Sequence, residues 1–234
     1  MKRLALVGMT LSLGLFSQGA VAGELIDHSA GLKLLAGADV WSTPANVPAA
    51  DQNVLGFSGN AAGIGYGAMP YYELRILKLL GAEAGINYEH ASFHRNLTLN
   101  GADYRETITL NSWRLPLLAK LNIPLGLGRL WFGLGPELTI AQSSTNKAEL
   151  VSSGAPVGNT TTHDVKPTYF TGGLGLVIEL PLIGVEIPVE FRASKNLSQP
   201  DNYADRVTKV GEGDIVRAES SWVYRLGAGL GFQF

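Results

Sequence analysis

The ionisable residues of this 234-residue chain recur at alternate positions of extended stretches. Lys33, Asp39, Glu73, Arg75, Glu83, Glu89, Arg114, Lys120, Glu137, Glu179, Glu186, Glu190, Arg192 and Arg225 make eight acids against six bases. They share their face of each stretch with many glycines. A buried charge is stable only when paired and hydrogen-bonded, so near-balanced signs on one face predict a neutralised ion-pair network. Catalysis is a poorer reading of the same residues. Glu186 and Glu190 stand four apart on one stretch, roughly 13 Å by the rise per residue, which is wider than glycosidase carboxylates require. Among His28, His90, His94 and His163, the sharpest arrangement is His90-Ala-Ser92, two side chains on one face. The nearest hairpin carboxylate, Glu106, falls on the opposite face, so a wet strand rim is expected rather than an acyl-transfer triad. Gly126-Leu-Gly128 and Gly133-Leu-Gly135 lack the strand–turn–helix setting of a phosphate loop. Asn96-Leu-Thr98, Asn159-Thr-Thr161 and Asn196-Leu-Ser198 match glycosylation acceptors, a pattern of low information. The absence of cysteine excludes disulfides, thiolate zinc sites and thiol nucleophiles. No cofactor or metal is expected, and the chain is not read as an enzyme.

The elements that must position these residues follow from a period of two. Trp222, Tyr224, Leu226, Ala228, Leu230, Phe232 and Phe234 share one face, with Val223, Arg225, Gly227, Gly229, Gly231 and Gln233 on the other. Reading on in this way predicts eight strands, near 30–41, 61–76, 81–96, 104–122, 129–142, 168–180, 185–196 and 219–234. Each reaches the ~9–11 residues that cross a bilayer at a tilt. Leu77–Leu80, Ile123–Gly128 and Pro181–Gly184 read as tight turns. Ser42–Asn60, Leu97–Asp103, Ser143–Pro167 and Leu197–Ala218 read as longer polar loops, with Asn100-Gly101 a hairpin-turn dipeptide. Short turns at one end and long loops at the other describe a membrane-threading barrel with both termini on the short-turn side.

The ionisable residues decide between a soluble and a membrane barrel. A soluble barrel holds apolar groups inside and charge outside; here the faces opposite the charges carry Leu, Ile, Val, Ala and aromatics. Such an inverted arrangement is stable only in hydrocarbon and only if the sheet closes. The expected fold is therefore all-β: a closed, eight-stranded, antiparallel, up-and-down transmembrane β-barrel. Trp41, Tyr88, Trp113, Phe132, Phe170, Phe191, Trp222, Phe232 and Phe234 are expected to form interface girdles. The interior of eight strands is just filled by side chains. The lumen is accordingly expected to be a salt-bridged plug, with glycines making room for Arg114, Arg225, Tyr71 and Glu179. The alternative is a small porin or gated channel.

Met1-Lys2-Arg3, the apolar run Leu4–Phe16 and Ala20-Val21-Ala22 have the layout of a secretory leader. Residues 1–22 are expected to be removed, leaving 23–234 as one barrel domain. The net charge of −2 gives no footprint for nucleic acid.

Gly227-Ala-Gly-Leu-Gly-Phe-Gln-Phe234 resembles the C-terminal signal of bacterial outer-membrane barrels, here Gly229, Phe232 and Phe234. Gly63–Arg75, Leu80–Tyr88, Leu115–Leu121 and Trp131–Leu138 resemble the outer membrane protein beta-barrel domain group (OmpA- and OmpX-like). His90 and Ser92 faintly resemble the arrangement in outer-membrane lipid A deacylases, which implies a lipid A-modifying outer-membrane enzyme as a further, less favoured alternative. The barrel resemblance implies a bacterial outer-membrane location with periplasmic termini. It also implies outer-membrane lipids and the barrel-assembly machinery as partners. The polar composition of the long loops reads as solvated surface, with capture of a surface ligand there as the alternative. The barrel resemblance points to fold and location rather than to an activity; the role expected for the chain is structural or interactional.

Overall fold

The structure, a computed structural model, describes residues 25–42, 45–46, 48, 61–99, 102–155, 161–164, 166–198 and 221–234. The expected leader lies outside the described residues, as do Asn100-Gly101, Asn159, most of Ser42–Asn60 and most of Leu197–Ala218. The side chains of Trp41, Glu106 and His163 lie outside them too.

Alternating faces become ten strands: β1 (Ile26–Trp41), β2 (Ala61–Ile76), β3 (Leu80–Gly85), β4 (Asn87–Leu99), β5 (Ala102–Leu125), β6 (Gly128–Leu150), β7 (Thr161–Asp164), β8 (Thr168–Leu180), β9 (Val185–Asn196) and β10 (Trp222–Gln233). Each pairs antiparallel with its neighbours in turn. β10 then returns to β1, from Ser29 opposite Gln233 to Val40 opposite Trp222. That last pairing closes the sheet, so the ring has no edge at which N–H and C=O groups would stand unpaired in hydrocarbon. β3 and β4 are one stave. Both pair in a single register with β2 on one side and β5 on the other. The stave is interrupted at Ile86, which by register faces Pro70 on β2, while Pro116 on β5 faces the preceding Gly85; neither proline has an N–H to donate. Ile86 instead donates its N–H to the Pro70 carbonyl at 3.1 Å. β7 pairs only with the far part of β6. The ring thus has eight staves.

The short turns are tight. Leu77 and Lys78 take φ of 54° and 58°, and Leu79 N–H donates to Ile76 O at 3.1 Å. Two successive positive φ values are what a type I′ hairpin turn needs. Gly184, at φ 65°, supplies the left-handed residue before β9.

Two of the expected loops are corrected. β4 runs to Leu99 and β5 begins at Ala102, within Leu97–Asp103. β6 continues through Ser143 to Leu150, paired with β5 as far as Tyr104, and Thr161–Asp164 pairs with β6. The Ser- and Thr-rich composition that suggested solvated loop is compatible with a paired sheet standing in water. Ile140 is an extra residue in β6. Trp113 lies opposite Ala141 and Arg114 opposite Thr139, and this bulge shifts the alternation of β6 beyond it.

Candidate functional site

The charged faces point inward. Lys33, Asp39, Glu73, Arg75, Glu83, Glu89, Arg114, Lys120, Glu137, Glu186, Glu190, Arg192 and Arg225 are all buried in the lumen, each no more than 4% exposed. Glu179 differs: its side chain keeps 30% of its exposure at the short-turn rim.

The charges fall into two tiers. The tier toward the short turns is centred on Glu83, whose Oε2 accepts from Lys33 Nζ at 2.7 Å and Lys120 Nζ at 2.5 Å, while Oε1 accepts from Arg192 Nη2 at 2.6 Å. Each cation has a second acid. Lys33 reaches Glu190 at 2.8 Å, Lys120 reaches Glu73 at 2.8 Å, and Arg192 Nε reaches Glu190 at 2.6 Å. Below them Glu186 accepts from Arg75 at 2.9 Å and from Arg129 at 2.8 and 3.0 Å; Arg129 also pairs with Glu179 at 2.5 Å. This tier holds five acids (Glu73, Glu83, Glu179, Glu186, Glu190) and five bases (Lys33, Arg75, Lys120, Arg129, Arg192). The other tier sits toward the long-loop end. Glu89 takes Arg114 at 2.9 Å and Arg225 at 3.0 Å, Arg225 also pairs with Asp39, and Glu137 lies 3.4 Å from Arg114. Thr171 Oγ1 donates to Glu137 at 2.7 Å, and Asn87 Nδ2 donates to Glu89 at 3.0 Å. By their places along β1 and β2, the buried Leu35, Met69 and Tyr71 stand between the tiers and cluster together.

Sequence reading missed two lumen residues. Arg129 is buried and pairs with three acids, yet it stands two residues after the turn Gly126-Leu127, where a loop cation reads equally well. Trp131 is fully buried, where an aromatic in such a strand suggests a girdle. Its seat is made by glycines of two strands. A Cβ at Gly133, Gly173 or Gly175 would stand 3.3, 3.1 or 2.6 Å from the indole. The room left by those glycines is therefore filled by Trp131, not by Arg114 or Glu179. Elsewhere the expected long neighbours do occupy glycine space: Arg225 lies against Gly65, and Tyr71 against Gly31 and Gly231. Lys120 and Lys33 sit over the Trp131 and Tyr71 rings, 4.1 and 4.3 Å from the centroids. Desolvated ammonium groups gain from such ring faces.

The outer wall is the complement. Leu34, Leu226, Leu134, Leu174, Leu176 and Ile140 are among its exposed apolar side chains. Tyr88 and Trp113 pack ring to ring at 5.0 Å, as do Phe191 and Tyr224 at 6.4 Å. Phe132, Phe170, Phe232 and Phe234 are exposed on the same wall, with Trp222 half-buried beside Tyr224. His28 hydrogen-bonds Tyr72 and stacks on Phe234 at 5.8 Å, fastening the end of β10 beside β1. His90 and Ser92 also lie on this wall. His90 Nδ1 bonds Asn111 Oδ1 at 2.8 Å, and Glu106 stands opposite Arg95 in the backbone register. No acyl-transfer triad is assembled there among the described residues. An apolar exterior around an ion-paired interior, with no sheet edge, is the architecture of a membrane-spanning barrel.

No family model matches the sequence, and no curated protein matches it. Solved structures similar in fold include Ail, the attachment invasion locus protein of Yersinia pestis, at 12% identity and TM-score 0.39, over 88% of this chain and 98% of that one. Neisserial surface protein A matches at 11% identity and TM-score 0.39, over 88% and 97%. The outer membrane protein OprG of Pseudomonas aeruginosa matches at 9% identity and TM-score 0.42, over 89% and 95%. At such values the likeness carries no functional argument. The chain is, by its own strand pairing, a closed eight-stranded antiparallel β-barrel that spans a membrane.

Proposed function

We propose that this chain is an integral barrel of a bacterial outer membrane that acts as a closed, non-catalytic anchor and presents its long-loop end to the exterior. The carrying observation is the lumen. In the tier toward the short turns every cation bonds acids from other strands, and five acids meet five bases. A solute crossing the barrel would have to break several buried ion pairs, and removing one partner of such a pair costs about 3–5 kcal/mol. His90 is bonded to Asn111 rather than facing a carboxylate, which supports a role without catalysis. In this reading the short turns and both termini are periplasmic, and Gly229, Phe232 and Phe234 serve as the signal read by the assembly machinery. Residues 1–22 act as the export leader.

Planar-bilayer recording tests the proposal. The wild-type barrel is expected to be silent. Unitary conductance steps in the wild type that vanish when Arg114 and Arg225 are replaced by alanine would overturn the plug in favour of a gated pore.

A further inference from the structure

Beyond the apolar belt, one side of the barrel keeps its sheet. On β4, β5 and β6 the outward side chains form rows fixed by the pairing register. The last belt row is Tyr88, Trp113 and Ala141. Above it come His90, Asn111 and Ser143, then Ser92, Thr109 and Thr145, then His94, Thr107 and Lys147, then Asn96, Arg105 and Glu149. From Leu117, Leu138 and Ile140 up to Trp113 this face is apolar or aromatic; in the four rows above there is no apolar side chain. Rows repeat every two residues, so at the tilt of a membrane barrel the four reach about 20 Å above the belt. β2 accompanies β4 only to Phe93, with Tyr66 beside His90 at 5.1 Å between rings.

The groups on this face are set in place by each other. His90 Nδ1–H donates to Asn111 Oδ1 at 2.8 Å, and Tyr88 OH donates to the same oxygen at 3.3 Å. His94 Nδ1 lies 3.1 Å from Thr107 Oγ1. Each bond uses one polar atom of a ring or amide and leaves the other, Nε2 or Nδ2, for an outside partner. Aromatic rings below a lattice of amide, imidazole and hydroxyl groups suit sugar rings, which offer apolar C–H faces and many hydroxyls. Position selects the source. A lipid whose acyl chains cover Leu117 and Leu138 carries its headgroup at the height of the next rows of the same face.

The geometry points to this face, the outer rows of β4–β6, as a binding surface for the saccharide headgroup of the outer-leaflet glycolipid. The inference rests on the outward orientation of the long-loop end proposed above. Its test uses the full barrel refolded into phosphatidylglycerol vesicles with or without lipopolysaccharide, then extracted in mild detergent and weighed by native mass spectrometry. Wild-type barrel is expected to retain lipopolysaccharide in preference to phosphatidylglycerol. Asn111→Leu or, on the neighbouring strand, Ser143→Leu/Thr145→Leu is expected to lower retention about tenfold, the loss of one to two hydrogen bonds. Insertion of each variant is checked by gel mobility. Retention unchanged in both variants would overturn the inference while leaving the closed barrel intact. So would binding of deacylated saccharide as strong as that of the intact lipid, or capture of a protein instead. Failure of the wild type to insert in either vesicle would refute the membrane reading and this inference with it.

Discussion

Glu83→Gln is the most informative change in the lumen, because one carboxylate serves three cations. In the wild type Glu83 accepts from Lys33 at 2.7 Å, Lys120 at 2.5 Å and Arg192 at 2.6 Å, with its side chain 1% exposed. The glutamine keeps the shape and one acceptor but turns the other oxygen into a donor aimed at a cation. Glu190 is then left to serve both Lys33 and Arg192, and Glu73 alone holds Lys120. Losing one partner of a buried ionic group costs about 3–5 kcal/mol, since the orphaned charge cannot reach water. The measurement is urea unfolding of vesicle-inserted protein, followed by gel mobility and intrinsic fluorescence. Glu83→Gln/Lys33→Met removes an acid and a cation together and should recover most of that loss, because contacting groups are strongly non-additive. A single variant within about 0.5 kcal/mol of wild type, the range of ordinary surface changes, would refute the reasoning. So would a double variant that loses the sum of its two singles.

The inside-out partition predicts that Leu176→Arg or Ala84→Arg, on the outer wall, destabilises by about 2–4 kcal/mol near the midplane. Gly85→Ala on the inner face should cost less, since its new Cβ meets the flexible Met69 side chain at 3.0 Å and the Pro70 carbonyl at 3.1 Å, contacts that shifts of a few tenths of an ångström relieve; equal losses in the same unfolding assay would reverse the faces. Leu77→Asn/Lys78→Gly should stabilise the β2–β3 turn by about 1–2 kcal/mol, because both native residues hold left-handed φ that costs non-glycine residues roughly that much. A lower unfolding midpoint for that variant would show that Leu77 contributes more by packing than it loses by strain.

The belt was legible because lipid enforces a strict alternation. In β10, Leu226, Leu230 and Phe232 must face hydrocarbon, so Arg225 and the glycines must face in, and period two follows directly. Above the belt that constraint lapses. In Ser143–Leu150 both faces may be polar without penalty, the pattern disappears, and a paired strand reads as loop. The bulge at Ile140 was hidden for a related reason: it is defined by the partner residues Trp113 and Arg114, not by anything local. Trp131 shows the limit within the belt. Its inward place depends on Gly173 and Gly175, some forty residues away on β8, and a single sequence does not reveal that these glycines and that indole share one layer. Arg129 was missed where a strand begins, the point at which inside and outside are least defined by pattern.

The distribution of charge around the ring carries a consequence for how the barrel closes. The tier toward the short turns draws its ionic groups from β1, β2, β3, β5, β6, β8 and β9, and none from β10. At that level β10 offers only glycines. A Cβ at Gly227 would stand 3.0 Å from Glu190 Cγ, and one at Gly229 would stand 3.0 Å from Lys33 Cγ. The closing strand thus provides room for a network whose partners all lie on the other seven staves. Desolvating a charge before its partner arrives is the costly event in building such a lumen. A final strand without charge at this level can pair with β1 after the ion pairs have formed, with no unpaired ion carried into the interior. Arg225 is the exception, and it sits near the long-loop end between Asp39 of β1 and Glu89 of β4.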